Sequence, residues 1–184
     1  MKFKLSSLFL PIENYTIRTK LSGDEIIGKL KAITYNSGRQ SKSTWFGLGT
    51  AFVQKSGNRY EGIIESNSFK INRVISYRNS FLPVIKGSVS SFADQQEIKI
   101  SMRLNLFVKL FMSVWFLITC SVSAFFLYQF LNDTDPARSL EGKLVPFIMV
   151  GAGYLGMMLG FKLESTRSKK ELDQLFEAET GMQR

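Results

Sequence analysis

Two long charge-free apolar runs constrain the second half of this 184-residue chain. They extend from Leu110 to Leu131 and from Leu144 to Phe161, and as helices they would be about 33 and 27 Å long. Both lengths suffice to cross a hydrocarbon core of about 30 Å. The first run has only Ser, Thr, Cys and Gln as polar side chains, whereas a soluble helix has a regular polar face. We predict transmembrane helices at 106–131 and 144–162.

The distribution of charge predicts how these helices are oriented. Residues 1–109 contain 17 Lys and Arg against 7 Asp and Glu, whereas the connecting segment 132–143 has a net charge of −1. Basic residues close to a span stay on the cytoplasmic side. We therefore expect a multi-pass protein of the bacterial inner membrane, with both termini cytoplasmic and a short external loop at 132–143.

The composition excludes several kinds of catalytic and metal-binding site. The chain has no histidine and one cysteine, Cys120, in the middle of the first apolar run. A Ser-His-Asp triad, a Cys-His pair and an internal disulfide are therefore excluded. We expect no catalytic residues, no metal and no cofactor.

Residues 1–105 have the pattern of a small α+β domain. Alternation in 15–21 predicts a strand, and Ser22 with Glu25 forms a capping box before a short amphipathic helix at 23–33. Turn residues at Ser56–Asn58, at Ser66-Asn67 and at 93–95 predict hairpins, the first of them preceded by the aromatic stretch 44–54. The fold prediction is a small antiparallel sheet with one short helix, followed by a two-helix transmembrane hairpin.

The tail at 163–184 is predicted to be cytoplasmic. Ser168 can cap a brief helix that carries Leu172, Leu175 and Phe176 on one side. Two placements are open for this helix, namely the membrane surface and the α+β domain, which it would cover.

Cations interleaved with aromatic residues between Phe69 and Gly87 form the first candidate site. An anion or a lipid headgroup would be held by Lys70, Arg73, Arg78, Lys86 and Arg103. The alternative is that these are solvated strand residues, with Asn79 and Ser80 in a turn that bonds to the backbone. Nucleic acid is an unlikely partner, because no RNA-binding motif is recognisable and positive-inside topology explains the charge.

Small residues recur in the second apolar run. Ala152, Gly156 and Gly160 are spaced by four and would let two helices approach closely. The partner is either the first span or the same helix in another subunit, so a homo-oligomer or a membrane complex is one expectation.

The only catalytic set worth considering combines Arg78 and Asn79 with a carboxylate from Glu61 or Glu65. The two glutamates would share one strand face, and acid–base work needs carboxyl groups in different environments. We favour a solvated strand face over an active site.

The segment Tyr77–Gly87, YRNSFLPVIKG, followed by an alternating strand and an apolar span, resembles uncharacterised bacterial two-span membrane proteins of similar size. The resemblance covers about residues 60 to 162 and implies an inner-membrane protein with a cytoplasmic amino-terminal domain. It implies no activity.

From these sequence patterns we expect one of two functions. The first is a non-enzymatic membrane protein whose basic cytoplasmic domain is an interaction or sensing module, in contact with anionic lipid or with a partner subunit. The alternative is a membrane-perturbing effector whose soluble domain senses a small ligand and whose spans oligomerise.

Overall fold

The computed structural model of the protein describes residues 10–36, 58–92, 95–132 and 140–176, with side chains in the last range described from residue 144. The elements in chain order are β1 (Ile12–Thr19), α1 (Gly23–Ile33), β2 (Thr34–Asn36), β3 (Tyr60–Ile64), β4 (Ser68–Arg73), β5 (Pro83–Phe92), β6 (Gln95–Leu104), α2 (Leu106–Asn132) and α3 (Leu140–Leu175). The α+β prediction is confirmed.

The six strands form one sheet in the order β1-β6-β5-β4-β3-β2. All neighbouring pairs are antiparallel except β2 and β3, which run parallel. A parallel pair needs a connection of about a dozen residues or more, and residues 37–59 supply it. The aromatic stretch 44–54 and most of the predicted turn that follows it, together with the turn residues 93 and 94, lie outside the described residues.

Apolar side chains cover one face of the sheet. The core includes Ile17, Ile71, Ile85, Ile98 and Met102 from the strands, all nearly inaccessible to solvent. The predicted capping box of α1 is confirmed, because Glu25 N donates to Ser22 Oγ over 3.3 Å and Ser22 N donates to Glu25 Oε2 over 2.7 Å. The cap fixes the start of α1, which presents Ile26 and Leu30 to the sheet core.

The last helix is longer than its apolar run. α3 continues to Leu175, so Ser168 lies inside the helix and the predicted helix start there is wrong. Beyond Phe161, the side chains that recur every three or four residues are buried in the sheet core, at positions Glu164, Ser165, Ser168, Leu172 and Phe176. Residues 163–176 of the predicted tail cover the domain, which is one of the two placements predicted.

The apolar helices α2 and α3 pack against each other. The Trp115 ring fills the space beside Gly153, where a Cβ atom would lie 2.3 Å from the ring. Hydroxyl groups in α2 bond within their own helix, as Thr119 Oγ1 does to Trp115 O (2.9 Å) and Ser123 Oγ to Thr119 O (2.8 Å). These bonds satisfy the polar groups without water. Both helices are long and apolar enough to cross a membrane.

Candidate functional site

The five cations predicted to hold an anion lie in three separate places. Lys70, Lys86 and Arg103 are on the sheet face opposite the core, where Arg103 is nearest α2 and its Nε donates to Ser101 Oγ over 3.2 Å. Arg73 is on the core face, and Arg78 is exposed in the loop after β4. Side chains alternate between the two faces of a strand, so the odd spacing between positions 70 and 73 puts these cations on opposite faces. The predicted single site is therefore not assembled as one cluster.

We call the first place the open face, defined by Lys70, Lys86, Lys99, Ser88 and Ser101. Lys70 is directly opposite Lys86, and Lys86 is directly opposite Ser101. One row further along the strands, Ser88 is directly opposite Lys99. These side chains belong to the lining of a shallow concavity of about 740 Å³.

Acidic residues on the same face neutralise some of this charge. Glu97 pairs with Lys99 (3.4 Å) and with Arg18 (3.9 Å), and Glu65 Oε2 accepts a hydrogen bond from Ser68 Oγ. Among the described residues, no carboxylate lies within 4.0 Å of the ammonium groups of Lys70 and Lys86. The centre of the open face is accordingly positive.

Glu61 lies towards one edge of this face, on β3, and is only 4% exposed. Burial raises the pKa of its carboxyl group. Its direct neighbour on β4 is Asn72, whose buried Oδ1 atom has no hydrogen-bond partner in the part of the chain that is described. Glu61 is thus a desolvated carboxyl group rather than part of a solvated strand face, as its sequence pattern had suggested.

Arg73 belongs to a partly buried polar network that joins the sheet to α3. Its guanidinium group donates to Glu164 Oε2 (3.0 Å) and to Glu171 Oε1 (2.6 Å). The hydroxyl of Tyr60 donates to Glu171 Oε2 over 2.8 Å, and that of Tyr77 donates to Glu164 Oε1. We call these five residues the coupling network, because they connect β3, β4 and the following loop to α3.

The surroundings of Arg73, Tyr60 and Tyr77 in the coupling network raise the pKa values of all three side chains. Burial alone would lower the pKa of Arg73, but the hydrogen bond that Arg73 donates to Glu164 and the charges of Glu171 and Glu164 outweigh it, so the pKa is raised. Burial, followed by the charge of Glu171, raises the pKa of Tyr60. Burial and the hydrogen bond to Glu164 do the same for Tyr77. Arg73 therefore stays charged and both phenols stay protonated at neutral pH.

A second set of contacts attaches α3 to the opposite edge of the sheet. On β1, Glu13 accepts a hydrogen bond from Ser165 Oγ (2.9 Å), and Thr19 Oγ1 donates to Phe176 O (2.9 Å). Between them, the ammonium group of Lys169 lies 4.9 Å from the centre of the Tyr15 ring. The carboxyl-terminal part of α3 is thus held at both edges of the core face.

The loop 74–82 contacts α3 through Asn79. Asn79 Oδ1 accepts from Phe81 N (2.9 Å) and its Nδ2 donates to Gly160 O (3.1 Å), so the backbone-bonding turn predicted at Asn79 is confirmed. Arg78 in the same loop is exposed, as is Arg103 near the end of β6. With Lys109 in the first turns of α2, they form what we call the basic rim.

The small residues of α3 have different surroundings. A Cβ atom at Gly160 would lie 3.0–3.2 Å from Phe81 and Asn79, so this glycine faces the loop rather than a helix. Ala152 is exposed, and within the described part of the chain a Cβ atom at Gly156 would meet nothing within 4 Å outside its own helix turn. Contact between the helices within this chain instead uses Gly153.

The catalytic set considered from the sequence is not gathered in one place. Asn79 is bonded to the backbone of the loop and of α3, Glu61 is buried on the open face, and Glu65 is bonded to Ser68. In the described ranges, the His, Cys, Asp and Glu side chains form no group of three or more that could hold a metal.

The coupling network was the part that sequence reasoning missed. Its acidic members, Glu164 and Glu171, follow the apolar run and look like solvated tail residues. The available signal was the spacing of Phe161, Ser165, Ser168 and Leu172, which continues one helical face beyond the span. No protein-family model, curated protein or solved structure matches this chain.

Proposed function

We propose that this chain is an integral membrane protein whose basic α+β domain is a non-enzymatic interaction and sensing module, coupled directly to a transmembrane hairpin. Side chains around most of the circumference of α2 are both apolar and exposed, including Leu110, Leu117 and Ile118. Exposure of such a large apolar surface to water is unfavourable, and a lipid environment would cover it. The excess of basic residues in 1–109 supports a cytoplasmic domain.

The observation that carries the proposal is the continuity of α3. One unbroken helix includes the apolar stretch that contacts Trp115 and the segment that is buried against the sheet. Between Phe147 and Leu175 this helix has no proline that would remove a backbone hydrogen bond and permit a kink, so we expect this part of it to move as one element. A partner that shifts the sheet would therefore also shift the second span.

Labelling of single cysteines tests the membrane topology. In a Cys120→Ser background, we expect a membrane-impermeant maleimide to label Asp135→Cys in intact spheroplasts, because residue 135 is between the two apolar runs and the proposed topology puts that segment outside. Ser90→Cys, at an exposed position of β5, should react at least about tenfold faster after permeabilisation. Labelling of Ser90→Cys in intact spheroplasts would place the domain outside and refute the proposed topology.

The basic rim supports contact with anionic lipid. Each cation close to an anionic surface contributes about 1 kcal/mol, so Arg78→Gln with Arg103→Gln should weaken retention of phosphatidylglycerol by about 30-fold. Native mass spectrometry of the full chain released from nanodiscs measures the retained lipid. Lys31→Gln with Lys170→Gln removes the same charge from exposed positions outside the rim and should have little effect. Equal losses in the two double variants would contradict a specific rim.

A second candidate function is supported by the free space at Gly156. In the effector alternative, the exposed face at Ala152 and Gly156 packs against another copy and the assembled spans perturb the bilayer. A small ligand sensed by the α+β domain would control this assembly.

Matched glycine variants test this candidate. Gly156→Leu should abolish dye leakage and cross-linked oligomers but leave the hairpin intact, since no described residue beyond its own helix turn lies within 4 Å of a Cβ atom at this position. Gly153→Leu should instead disrupt packing against Trp115, which tryptophan fluorescence reports. Absence of leakage and of oligomers from the unmodified protein would eliminate the effector function.

A further inference from the structure

The open face has a charge arrangement that sheet stability does not explain. Lys70 and Lys86 are direct cross-strand neighbours, and like charges at directly opposite positions destabilise a sheet. Lysines often protect edge strands from unwanted pairing, but β4 and β5 are the two central strands of the order β1-β6-β5-β4-β3-β2. Edge protection therefore does not account for this pair.

Neutral donors lie on the β6 and β1 side of the two lysines, whereas Ile63 is directly opposite Lys70 on the β3 side. Ser88 and Thr16 are exposed in the next row, on either side of Lys99, and Asn14 is directly opposite Ser101 in the row of Lys86. Ammonium, hydroxyl and amide donors on one surface match the oxygens of phosphate groups, which accept several hydrogen bonds each. A concavity of about 740 Å³ is within the range of small-molecule sites.

The position of the pair favours a soluble ligand over a lipid headgroup. Arg103 is in the row nearest the start of α2, and the row of Lys70 and Lys86 is two residues further along the strands, which is about 7 Å. Lys99 is another two residues away. The three ammonium groups thus extend away from the basic rim, along a surface that a molecule with several phosphates can follow.

We propose that the open face, centred on the Lys70–Lys86 pair, binds a small soluble ligand that carries two or more phosphate groups. This assignment rests on the proposed sensing role and names the class of ligand that the domain senses. The bound phosphates neutralise the repulsion between the two lysines, so ligand binding stabilises the sheet where two like charges are directly opposite each other. α3, anchored to the same sheet, is then held more firmly in its present position.

Binding of inorganic tripolyphosphate to the full chain in nonionic detergent tests the proposal. Calorimetry at low salt should detect binding, and Lys70→Gln with Lys86→Gln should weaken it by at least about tenfold, because two charged donors are lost. Tripolyphosphate should raise the thermal midpoint of the unmodified chain but not of this variant. Without ligand, the variant should be at least as stable as the unmodified chain, since a like-charge pair has been removed.

Two controls separate this site from the basic rim. Arg78→Gln, which changes a loop residue outside the lining of the concavity, should reduce retention of phosphatidylglycerol but leave tripolyphosphate binding within about twofold. Lys31→Gln should change neither. If tripolyphosphate fails to bind, or binds the open-face variant equally well, the open face is not a phosphate site. The proposed function does not depend on this result, because the topology and lipid experiments test it separately. If Lys70→Gln with Lys86→Gln instead reduces retention of phosphatidylglycerol, the open face binds a membrane lipid, and the proposal of a soluble ligand is refuted.

Discussion

Replacing Arg73 with methionine should lower the free energy of unfolding of the α+β domain by about 3 kcal/mol, because it leaves a buried carboxylate without its principal cation. Glu164 is 1% exposed, and the Arg73 side chain bridges it to Glu171. Methionine retains much of the aliphatic volume of arginine, so the change isolates the charge from the packing. The remaining partners of Glu164, Tyr77 and the more exposed Arg167, moderate the loss.

Native-state hydrogen exchange of the full chain in nanodiscs is the appropriate measurement. Exchange should accelerate by about 100-fold in peptides from β4 and from α3 beyond Phe161, since these segments open together when the coupling network fails. Amides of α2 should keep their protection, because the contact between Trp115 and Gly153 is separate from the network.

Two further variants test whether the effect of Arg73→Met comes from the coupling network. Arg78→Met removes an exposed cation five positions away and should change the opening free energy by less than about 0.5 kcal/mol. Combining Arg73→Met with Glu164→Met removes both charges, so the double variant should be less destabilised than the sum of the single variants. Additive losses, or an Arg73→Met protein as stable as the unmodified chain, would show that the network does not hold α3 to the sheet.

Local sequence patterns predicted the elements of this fold well. The capping box at Ser22 and Glu25 marks the start of α1, and the alternation that ends at Leu104 marks β6. In both cases the signal is contained within a few neighbouring residues. Hairpin pairing also follows from short turns, as between β3 and β4. The parallel pairing of β2 with β3 depends on a connection of more than twenty residues, which has no local signature.

The candidate site was predicted only in part, for a related reason. Composition identified Lys70, Arg73 and Lys86 as potential anion ligands, but the pleat of β4 separates Arg73 from Lys70. The carboxylates that neutralise Arg73 come from α3, at least 91 positions later. Charge counting within one segment cannot reveal such a partner. The same long-range contact makes α3 part of the domain core instead of a separate tail.

The role of α3 in the core leads to a second large expected effect. A chain that ends at Lys162 should lose the folded α+β domain, whereas a chain that ends at Phe176 should keep it. The shorter chain lacks two fully buried side chains, Leu172 and Phe176, together with the partners of Arg73. Burial of each apolar side chain contributes about 1.5–3 kcal/mol. Together with the lost ion pairs, this approaches the 5–15 kcal/mol by which a typical domain is stable.

Limited proteolysis of membranes that contain each chain distinguishes the two outcomes. Trypsin should cleave the chain ending at Lys162 within the sheet, at sites such as Lys70 and Lys86, at least about 100-fold faster than the chain ending at Phe176, because cleavage requires opening of the strands. A soluble counterpart provides the complementary test. Residues 10–104 joined to 161–176 by a Gly/Ser linker of eight residues, which reaches roughly 15 Å, should fold without the hairpin, whereas residues 10–104 alone should aggregate. If residues 10–104 alone give a cooperative, protease-resistant domain, then α3 is dispensable for the sheet, and direct coupling between the domain and the second span would have no structural basis.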